Sequence, residues 1–177
     1  QSTKAAMADA GLSETINFAF TSNHWLEQFG MTQTLKVLNP LSEEHERLVP
    51  SLIPGLVKNA LNNWHHHFGS EPLAIRLFEL RPTFSAEGEL KSSADPQGRL
   101  TVTGAEEKWK LTFALSGPRY AGGLRTDQSE LDLFDIKAVV EKLFTRLGTK
   151  GIRMIPLSQS RTGNALFHPG QSVEILA

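Results

Sequence analysis

The sequence predicts an α+β fold in which helices flank a sheet dominated by antiparallel strands. Three observations support this: strand-like alternation around Trp109, two amphipathic helical stretches, and no regular alternation of strands with helices. The 177 residues suffice for one domain with its own core, so we expect residues 1–177 to form a single domain. The chain begins Gln-Ser-Thr-Lys without an initiator Met, and we expect it to be a piece of a larger protein.

The first forty residues predict two short helices and two strands. An Ala- and Met-rich stretch favours a helix that ends at Gly11. After it, Ile16, Phe18 and Phe20 alternate with smaller or more polar residues, which is typical of a strand. In order, we expect a helix over 4–10, a strand over 12–20, a short helix around Trp25 that ends at Gly30, and a short strand over 35–38.

The next stretch, from Asn39 to Gly55, reads N-P-L-S-E-E-H-E-R-L-V-P-S-L-I-P-G. A turn signal, a capping-type Ser42 and acidic residues behind it predict a short helix. Pro50 then breaks the chain, and Pro54 suits the first turn of a longer helix that reaches about Phe68. We expect this helix to bury one apolar stripe, which consists of Val57, Leu61, Trp64 and Phe68.

The second half predicts strands around one further long helix. The polar region 87–106 carries Gly and Asp-Pro signals, so we expect a long hairpin connection or a mobile loop. Alternation in 108–115 is the clearest strand signal, with one dry face and one wet or partner-covered face. The remaining expected elements are strands over 73–84, 152–155 and 173–176, a loop over 117–123, and a helix over 132–147 that Gly148 ends.

Composition excludes several functional classes. With 18 basic and 19 acidic residues, the chain lacks the basic surplus of a domain that grips nucleic acid alone. The absence of cysteine excludes disulfides and thiolate chemistry. No apolar run approaches the roughly 18 residues that a membrane span needs. We therefore expect a cytoplasmic protein that has no membrane or DNA partner.

Candidate chemical motifs are weak. Three successive histidines, His65 to His67, point about 100° apart on a helix, so they do not converge on one ion. The loop from Gly117 to Arg125 lacks the Gly-Lys-Ser/Thr ending of a phosphate-binding loop and is interpreted as a plain turn. No Ser or Cys nucleophile accompanies His45, which we expect to be exposed. His168, beside a Pro-Gly turn, is interpreted as structural.

The Asn39–Gly55 string resembles a segment of the phenylalanyl-tRNA synthetase beta subunit, N-P-L-S-E-E-H-x-x-L-R-x-S-L-x-P-G-L-L. Further matches follow in the same order: Leu77-Phe78-Glu79, Phe134-Asp135-Ile136-Lys137 and His168-Pro169-Gly170. One departure is Val49, which stands where the family usually has Arg after Leu48. The resemblance extends from Met7 to Ile175 and implies the fold of class II aminoacyl-tRNA synthetases.

The resemblance also implies a catalytic-like core without an active site. Class II catalysis needs an Arg-x-Glu on one strand and a further Arg in a Gly-rich motif. The corresponding strand reads Arg76-Leu77-Phe78-Glu79-Leu80-Arg81, in which Arg76 and Glu79 lie on opposite faces. Glu79 and Arg81 share a face and are interpreted as an ion pair. We expect no catalytic, cofactor or metal site in this domain, whereas the parent ligase uses ATP and magnesium.

The expected role is therefore that of a scaffold and an interface with the catalytic alpha subunit, with tRNA bound only by the whole enzyme. A free-standing, synthetase-like paralogue that binds an amino acid or a protein without catalysis stays open as the alternative. An RNA-binding module is disfavoured by the charge balance. The residues to which we assign interface or structural roles are Phe18, Asn39, Pro40, Glu79, Asp135, Lys137 and His168.

Overall fold

The computed structural model describes the backbone of residues 2–69, 72–94, 100–120, 129–157, 166–168 and 170–176, and the side chains of these residues except those of 87–94 and 100–103. The chain divides into two compact units. The first comprises Gln1–Glu14, Asn62–Phe78 and Ala114–Ala177, and the second comprises Thr15–Leu61 and Glu79–Phe113. That residues 1–177 form a single domain stays a prediction.

Helices and strands alternate irregularly along the described chain. The helices are α1 (Ser2–Asp9), α2 (Asn23–Glu27), α3 (Ile53–His65) and α4 (Leu133–Leu147), with one 3₁₀ turn at Glu43–His45. The strands are β1 (Ser13–Glu14), β2 (Phe20–Thr21), β3 (Arg47–Leu48), β4 (Ile75–Ala94), β5 (Leu100–Ser116), β6 (Arg153–Pro156) and β7 (Val173–Leu176).

Antiparallel pairing dominates, which confirms the predicted fold class. β2 pairs with β3 and β6 with β7 in antiparallel register, and β1 pairs with β4 in parallel. β5 lies next to β4 in the order β1-β4-β5. Because β4 ends at Ala94 and β5 begins at Leu100, the connection between these neighbouring strands is short, and the two strands form a hairpin. No helix within the described residues is long and apolar enough to cross a membrane.

The predicted helices α1 and α4, which both lie in the first unit, are confirmed. α1 ends as expected at Gly11, whose φ of 85° is favourable for glycine, and the Leu12 amide closes the helix on the Met7 carbonyl at 3.1 Å. α4 begins with a capping box formed by Asp132 and Asp135 and ends at Gly148. α1 packs against α4, where Met7, Val140 and Leu143 are buried. This pair of helices forms much of the core of the first unit.

The predicted strand over 12–20 is wrong in its middle part. Only Ser13–Glu14 and Phe20–Thr21 are strands, because the Asn17 amide bonds to a glutamate side chain instead of a neighbouring strand. The Val49 amide then meets the Ala19 carbonyl at 3.0 Å, and the Val49 carbonyl accepts from Phe84 at 2.9 Å. A side-chain partner thus replaces the ladder that the alternating pattern predicted.

The succession of a short helix, a break and a longer helix after Asn39 is confirmed, with a 3₁₀ turn as the first of the two. The short strand β3 between them was not predicted. The hydroxyl of Ser42 pairs with Nδ1 of His45 at 2.9 Å rather than capping a backbone amide. The helix α2, predicted around Trp25, begins with Ser22 as its N-cap, buries Leu26 and ends at Glu27, before the predicted end at Gly30.

The predicted buried stripe of the longer helix is wrong. α3 ends at His65, and Trp64 and Phe68 are 71% and 92% exposed, whereas Pro54 and Leu56 are buried. Periodicity identifies an apolar face but does not show that another element covers it. The first turns of α3 therefore contribute to the core and its last turn does not.

A hairpin is confirmed in the region 87–106, where a long hairpin connection or a mobile loop is expected, but its strands are longer and its connection is shorter than predicted. β4 continues to Ala94 and β5 begins at Leu100, so the described part of this polar region is strand and not loop. Backbone ladder bonds do not require apolar side chains, which explains why the polar composition misled the prediction. Trp109, expected on a dry face, is exposed, so the dry face predicted for this strand does not include residue 109.

The late strands β6 and β7 are confirmed at the predicted places. The turn expected around Gly163 lies outside the described residues, as do positions 121–123 of the expected loop. At the turn expected around Pro169, the Gln171 amide donates to the His168 carbonyl at 3.3 Å, the hydrogen bond that closes a β-turn. Gly117 to Tyr120 are irregular, as predicted, and Gly117 has a φ of 90°. A side chain at Gly117 would meet the Leu73 carbonyl, so this position requires glycine.

Candidate functional site

A buried carboxylate on β4 anchors the irregular segment between β1 and β2. Glu79 is only 2% exposed, and its Oε1 accepts a hydrogen bond from the Asn17 backbone amide at 3.0 Å. Its Oε2 accepts from Nδ2 of the Asn17 side chain at 2.9 Å. Both carboxylate oxygens are thus bound by one residue, and Glu79 holds the chain at Asn17 in a fixed position.

Two further side chains satisfy the remaining polar atoms of Asn17. Nη1 of Arg81 donates to the Asn17 carbonyl at 2.7 Å and lies 3.8 Å from Oε1 of Glu79. Nδ2 of Asn59 donates to Oδ1 of Asn17 at 3.0 Å. The ion pair of Glu79 and Arg81 therefore exists, but each partner is also bonded to Asn17.

A glycine makes room for this arrangement. A Cβ atom at Gly55, near the start of α3, would lie 3.2 Å from Nδ2 of Asn17 and 3.8 Å from Oε2 of Glu79. The first turn of α3 is held in place by Nε1 of Trp25, which donates to the Pro54 carbonyl at 3.1 Å. We call Asn17, Gly55, Asn59, Glu79 and Arg81 the Asn17 cluster. All five lie in the second unit.

The other charged residue of interest on β4, Arg76, is also bound internally. Its Nη2 donates to the Arg119 carbonyl at 2.5 Å and lies 3.5 Å from the Pro118 carbonyl. These carbonyls belong to the irregular stretch that follows β5, so Arg76 stabilises that stretch. Arg76 and Glu79 thus both bind protein atoms.

A second polar arrangement links the stretch after β5 to the start of α4. Nε and Nη2 of Arg119 donate to the carboxylate of Asp135 at 3.1 and 3.0 Å. The hydrogen bond from Arg119 lowers the pKa of Asp135 below its ordinary value, assisted by the Asp132 amide at 2.8 Å. The same bond raises the pKa of Arg119. The pair fixes the loop and the helix start, as expected for bidentate arginine–carboxylate geometry.

Apolar side chains next to Asn17 face the solvent. Ile16 and Phe18, on either side of Asn17, are 90% and 74% exposed, and Phe20 is also exposed. The ring of Phe18 meets that of His45 edge to face, with centroids 5.6 Å apart. We call Ile16, Phe18 and Phe20 the Phe18 surface. Exposed apolar clusters of this kind are typical of protein interfaces.

The residues singled out from the sequence are spread over both units. Phe18, Asn39 and Pro40 are exposed in the second unit, where Glu79 is buried. On α4 of the first unit, Asp135 binds Arg119 and Lys137 lies 3.6 Å from Glu141. Their roles as interface or structural residues stay a prediction.

The histidines are arranged as follows. Nδ1 of His168 accepts a hydrogen bond from the Gly170 amide at 3.1 Å. His65 to His67 are exposed at the end of α3, and Nδ1 of His66 lies 2.8 Å from the Asn62 carbonyl. His45, expected to be exposed, is half-buried beside Phe18. Across the described residues, no group of three or more His, Cys, Asp or Glu side chains is placed to hold a metal ion.

The sequence did not reveal Asn17, Gly55 and Asn59 as functional residues. Asn17 occupies a polar position in an alternating apolar run, where a solvent-facing side chain is the ordinary expectation. Arg119 was likewise assigned to a plain turn. The sequence predicts a helix start at Pro54-Gly55. The closeness of this helix start to Asn17 depends on contacts across 38 residues or more, and a local pattern does not contain such contacts.

This fold is that of a class II aminoacyl-tRNA synthetase. The structure superimposes on pyrrolysyl-tRNA synthetase from Desulfitobacterium hafniense with a TM-score of 0.57 and 13% identity, covering 99% of this chain and 54% of that one. A second structure, of PylSc from the same organism, gives a TM-score of 0.54 over 87% of this chain and 45% of that one, also with 13% identity. At this identity the likeness establishes the fold alone.

The sequence identifies the family within this class. The family of the phenylalanyl-tRNA synthetase beta chain CLM domain matches residues 1–177, and the chain belongs to it.

Curated relatives agree with this assignment. The chain is 30% identical over 172 residues to the phenylalanine–tRNA ligase beta subunit of Syntrophotalea carbinolica, which covers 94% of this chain and 19% of that protein. The beta subunit of Salinibacter ruber is 34% identical over 127 residues, which covers 72% of this chain and 14% of the relative. The chain thus spans about a fifth of the length of the first of these relatives.

Proposed function

We propose that this chain is the catalytic-like core of the beta subunit of a phenylalanine–tRNA ligase, and that it serves as a scaffold and as an interface with the alpha subunit. The observation that carries the proposal is the state of Arg76 and Glu79 on β4. Both are bonded to protein atoms, Arg76 to the Arg119 carbonyl and Glu79 to Asn17. Binding of ATP by either residue would require these internal bonds to break.

The parent enzyme would join phenylalanine to its tRNA in the cytoplasm with ATP and magnesium, as a heterotetramer of two kinds of subunit. In that enzyme, other parts would bind ATP and tRNA. The balanced charge of this chain, 18 basic and 19 acidic residues, supports a role without direct tRNA binding, since little counterion release is available.

The Phe18 surface is the proposed contact with the alpha subunit. Exposed aromatic and branched apolar side chains next to a rigid polar anchor are suited to a partner that excludes water. Leu38 and Leu41, which follow α2 in the sequence, are exposed as well. The second unit therefore presents several large apolar side chains to the solvent. A free-standing paralogue would have no alpha subunit to cover them, which makes assembly the deciding test.

The test is coexpression of the complete beta chain with the alpha subunit, followed by analytical ultracentrifugation of wild type and Phe18→Asp. A buried charge opposite an apolar partner is unfavourable, so we expect Phe18→Asp to weaken the complex at least about tenfold. Far-UV circular dichroism should stay unchanged, because Phe18 is mostly exposed within the chain.

Phe68→Asp is the matched control, since Phe68 is even more exposed but lies in the first unit. Equal complex formation by wild type and Phe18→Asp would contradict the proposed interface. If neither the wild type nor the control bound the alpha subunit, the free-standing paralogue would be favoured.

A further inference from the structure

The segment that carries the Phe18 surface has no regular structure of its own. Residues 15–18 lie between β1 and β2 without helix or strand, and their backbone amides do not continue either strand. Irregular segments on a surface are ordinarily mobile, and an apolar contact made by a mobile segment loses free energy when the segment becomes ordered. Something other than secondary structure must therefore keep Ile16 and Phe18 in place.

We propose that Asn17 is the positioning residue of the Phe18 surface, and that Glu79, Asn59 and Arg81 act as a clamp on it. This inference rests on the proposed interface function. The backbone N–H, the backbone carbonyl, the side-chain amide nitrogen and the side-chain oxygen of Asn17 each have one partner within the cluster. Fixing both the main chain and the side chain of one residue orients the residues on either side of it.

The chemistry of the cluster requires an amide at position 17. An amide donates through nitrogen and accepts through oxygen at the same time, which matches the acceptor Glu79 and the donor Asn59. Aspartate would place a second anion 2.9 Å from the Glu79 carboxylate. Glutamine would be longer by one methylene, and Gly55 leaves little space, since a Cβ there already comes within 3.2 Å of the amide nitrogen.

The positions of the neighbours agree with this role. Asn17 is partly buried, whereas Ile16 and Phe18 on either side are exposed. Burial alternates along this segment, with residues 16 and 18 exposed and residues 15, 17 and 19 half-buried. A clamp on Asn17 therefore directs Ile16 and Phe18 outward together, and the surface is preorganised before any partner arrives.

The test uses the complete protein that carries this domain, with amide hydrogen exchange of the peptide around residues 14–20 and binding of the alpha subunit as two readouts. We expect Asn17→Asp to speed exchange in this peptide, and to weaken binding, by about tenfold or more each, the effect of losing one buried hydrogen bond to a charged group. Exchange in α4, which lies in the first unit, should stay unchanged and report that the protein is folded.

A reciprocal variant separates positioning from general damage. In Asn17→Asp combined with Glu79→Gln, the carboxylate and the amide exchange places. The net charge is unchanged, and the side-chain bond between positions 17 and 79 forms again with the glutamine nitrogen as the donor. We expect this double variant to recover most of the protection and most of the affinity. No recovery of protection would overturn the proposal, as would unchanged exchange in Asn17→Asp.

Two further variants cover the remaining outcomes. If Asn17→Asp fails to fold, Asn59→Ala removes the donor to Oδ1 of Asn17, leaves the bonds of Glu79 and Arg81 to Asn17 in place, and should give a smaller increase in exchange of the same peptide. Phe18→Asp should reduce binding without changing exchange. If Phe18→Asp binds normally while Asn17→Asp still loses protection, the interface assignment fails and the clamp stands. If Asn17→Asp loses protection but binds normally, the clamp exists and its role in positioning the surface is wrong.

Discussion

The replacement of Glu79 should measure how much the Asn17 cluster contributes to stability. Glu79→Ala removes the acceptor of both Asn17 donors and leaves Arg81, whose side chain is 17% exposed, without its carboxylate. Removing one partner of a buried pair typically costs about 3–5 kcal/mol. Because Arg81 keeps some contact with water, we expect the lower end of this range, about 3 kcal/mol.

Glu79→Gln is the finer version of this experiment. The glutamine oxygen still accepts from the Asn17 backbone amide, but its nitrogen then faces Nδ2 of Asn17, so two donors oppose each other. Loss of one charge-assisted bond with an unsatisfied donor costs about 2 kcal/mol. The free energy of unfolding should therefore be highest for the wild type, lower for Glu79→Gln and lowest for Glu79→Ala.

The assay is urea unfolding followed by far-UV circular dichroism and by tryptophan fluorescence. With a slope of about 2 kcal/mol per molar urea, the midpoint should fall by about 1 M for Glu79→Gln and by about 1.5 M for Glu79→Ala. Glu107→Gln, exposed on β5, is the control and should stay within about 0.5 kcal/mol of wild type. A Glu79→Gln variant as stable as this control would refute the reasoning, because the Asn17 contacts would then contribute nothing.

Two other predictions concern Asp135 and Gly55. Arg119 lowers the pKa of Asp135 in the folded chain, so the stability that ionised Asp135 contributes is present above its ordinary pKa of 3.8 and disappears as the pH falls through the lower folded pKa. Asp135→Asn should therefore be less stable than wild type at neutral pH, and urea unfolding should show that the difference narrows below about pH 4. A difference that stays constant with pH would contradict this prediction. Gly55→Ala should lower the free energy of unfolding by about 1 kcal/mol, despite a gain of up to about 1 kcal/mol in helix propensity. The reason is that Asn17 is held at four atoms and does not yield to the new methyl group. A higher free energy of unfolding in urea would show that Asn17 moves.

Local signals in the sequence predicted the helices well. Gly11 and Gly148 end α1 and α4, and Asp132 begins α4 as a cap, since these effects depend on a few neighbouring residues. The fold class followed from the irregular order of helices and strands together with one clear alternating stretch. The helix ends, unlike the fold class, are each determined within a window of about fifteen residues.

The site depended on contacts that no local window contains. Asn17 meets Glu79 across 62 residues, and the alternating pattern of its neighbours predicted a strand instead of a clamped loop. The apolar stripe of Trp64 and Phe68 was assigned to the core for a related reason, because a pattern shows which face is apolar and not what covers it. Local sequence patterns therefore do not show which polar groups pair across long sequence separations, or which apolar faces another element covers.

The long sequence separations within the Asn17 cluster have a consequence for synthesis. Asn17 cannot meet Glu79 or Arg81 until the chain has grown by 62 to 64 residues beyond it. At synthesis rates of about 5–20 residues per second, Ile16 and Phe18 leave the ribosome roughly 3–13 s before Glu79 and Arg81 leave it. During that interval a short apolar segment without local structure is open to nonspecific contacts. Nascent chains of this protein should therefore be good substrates for ribosome-associated chaperones until β4 emerges.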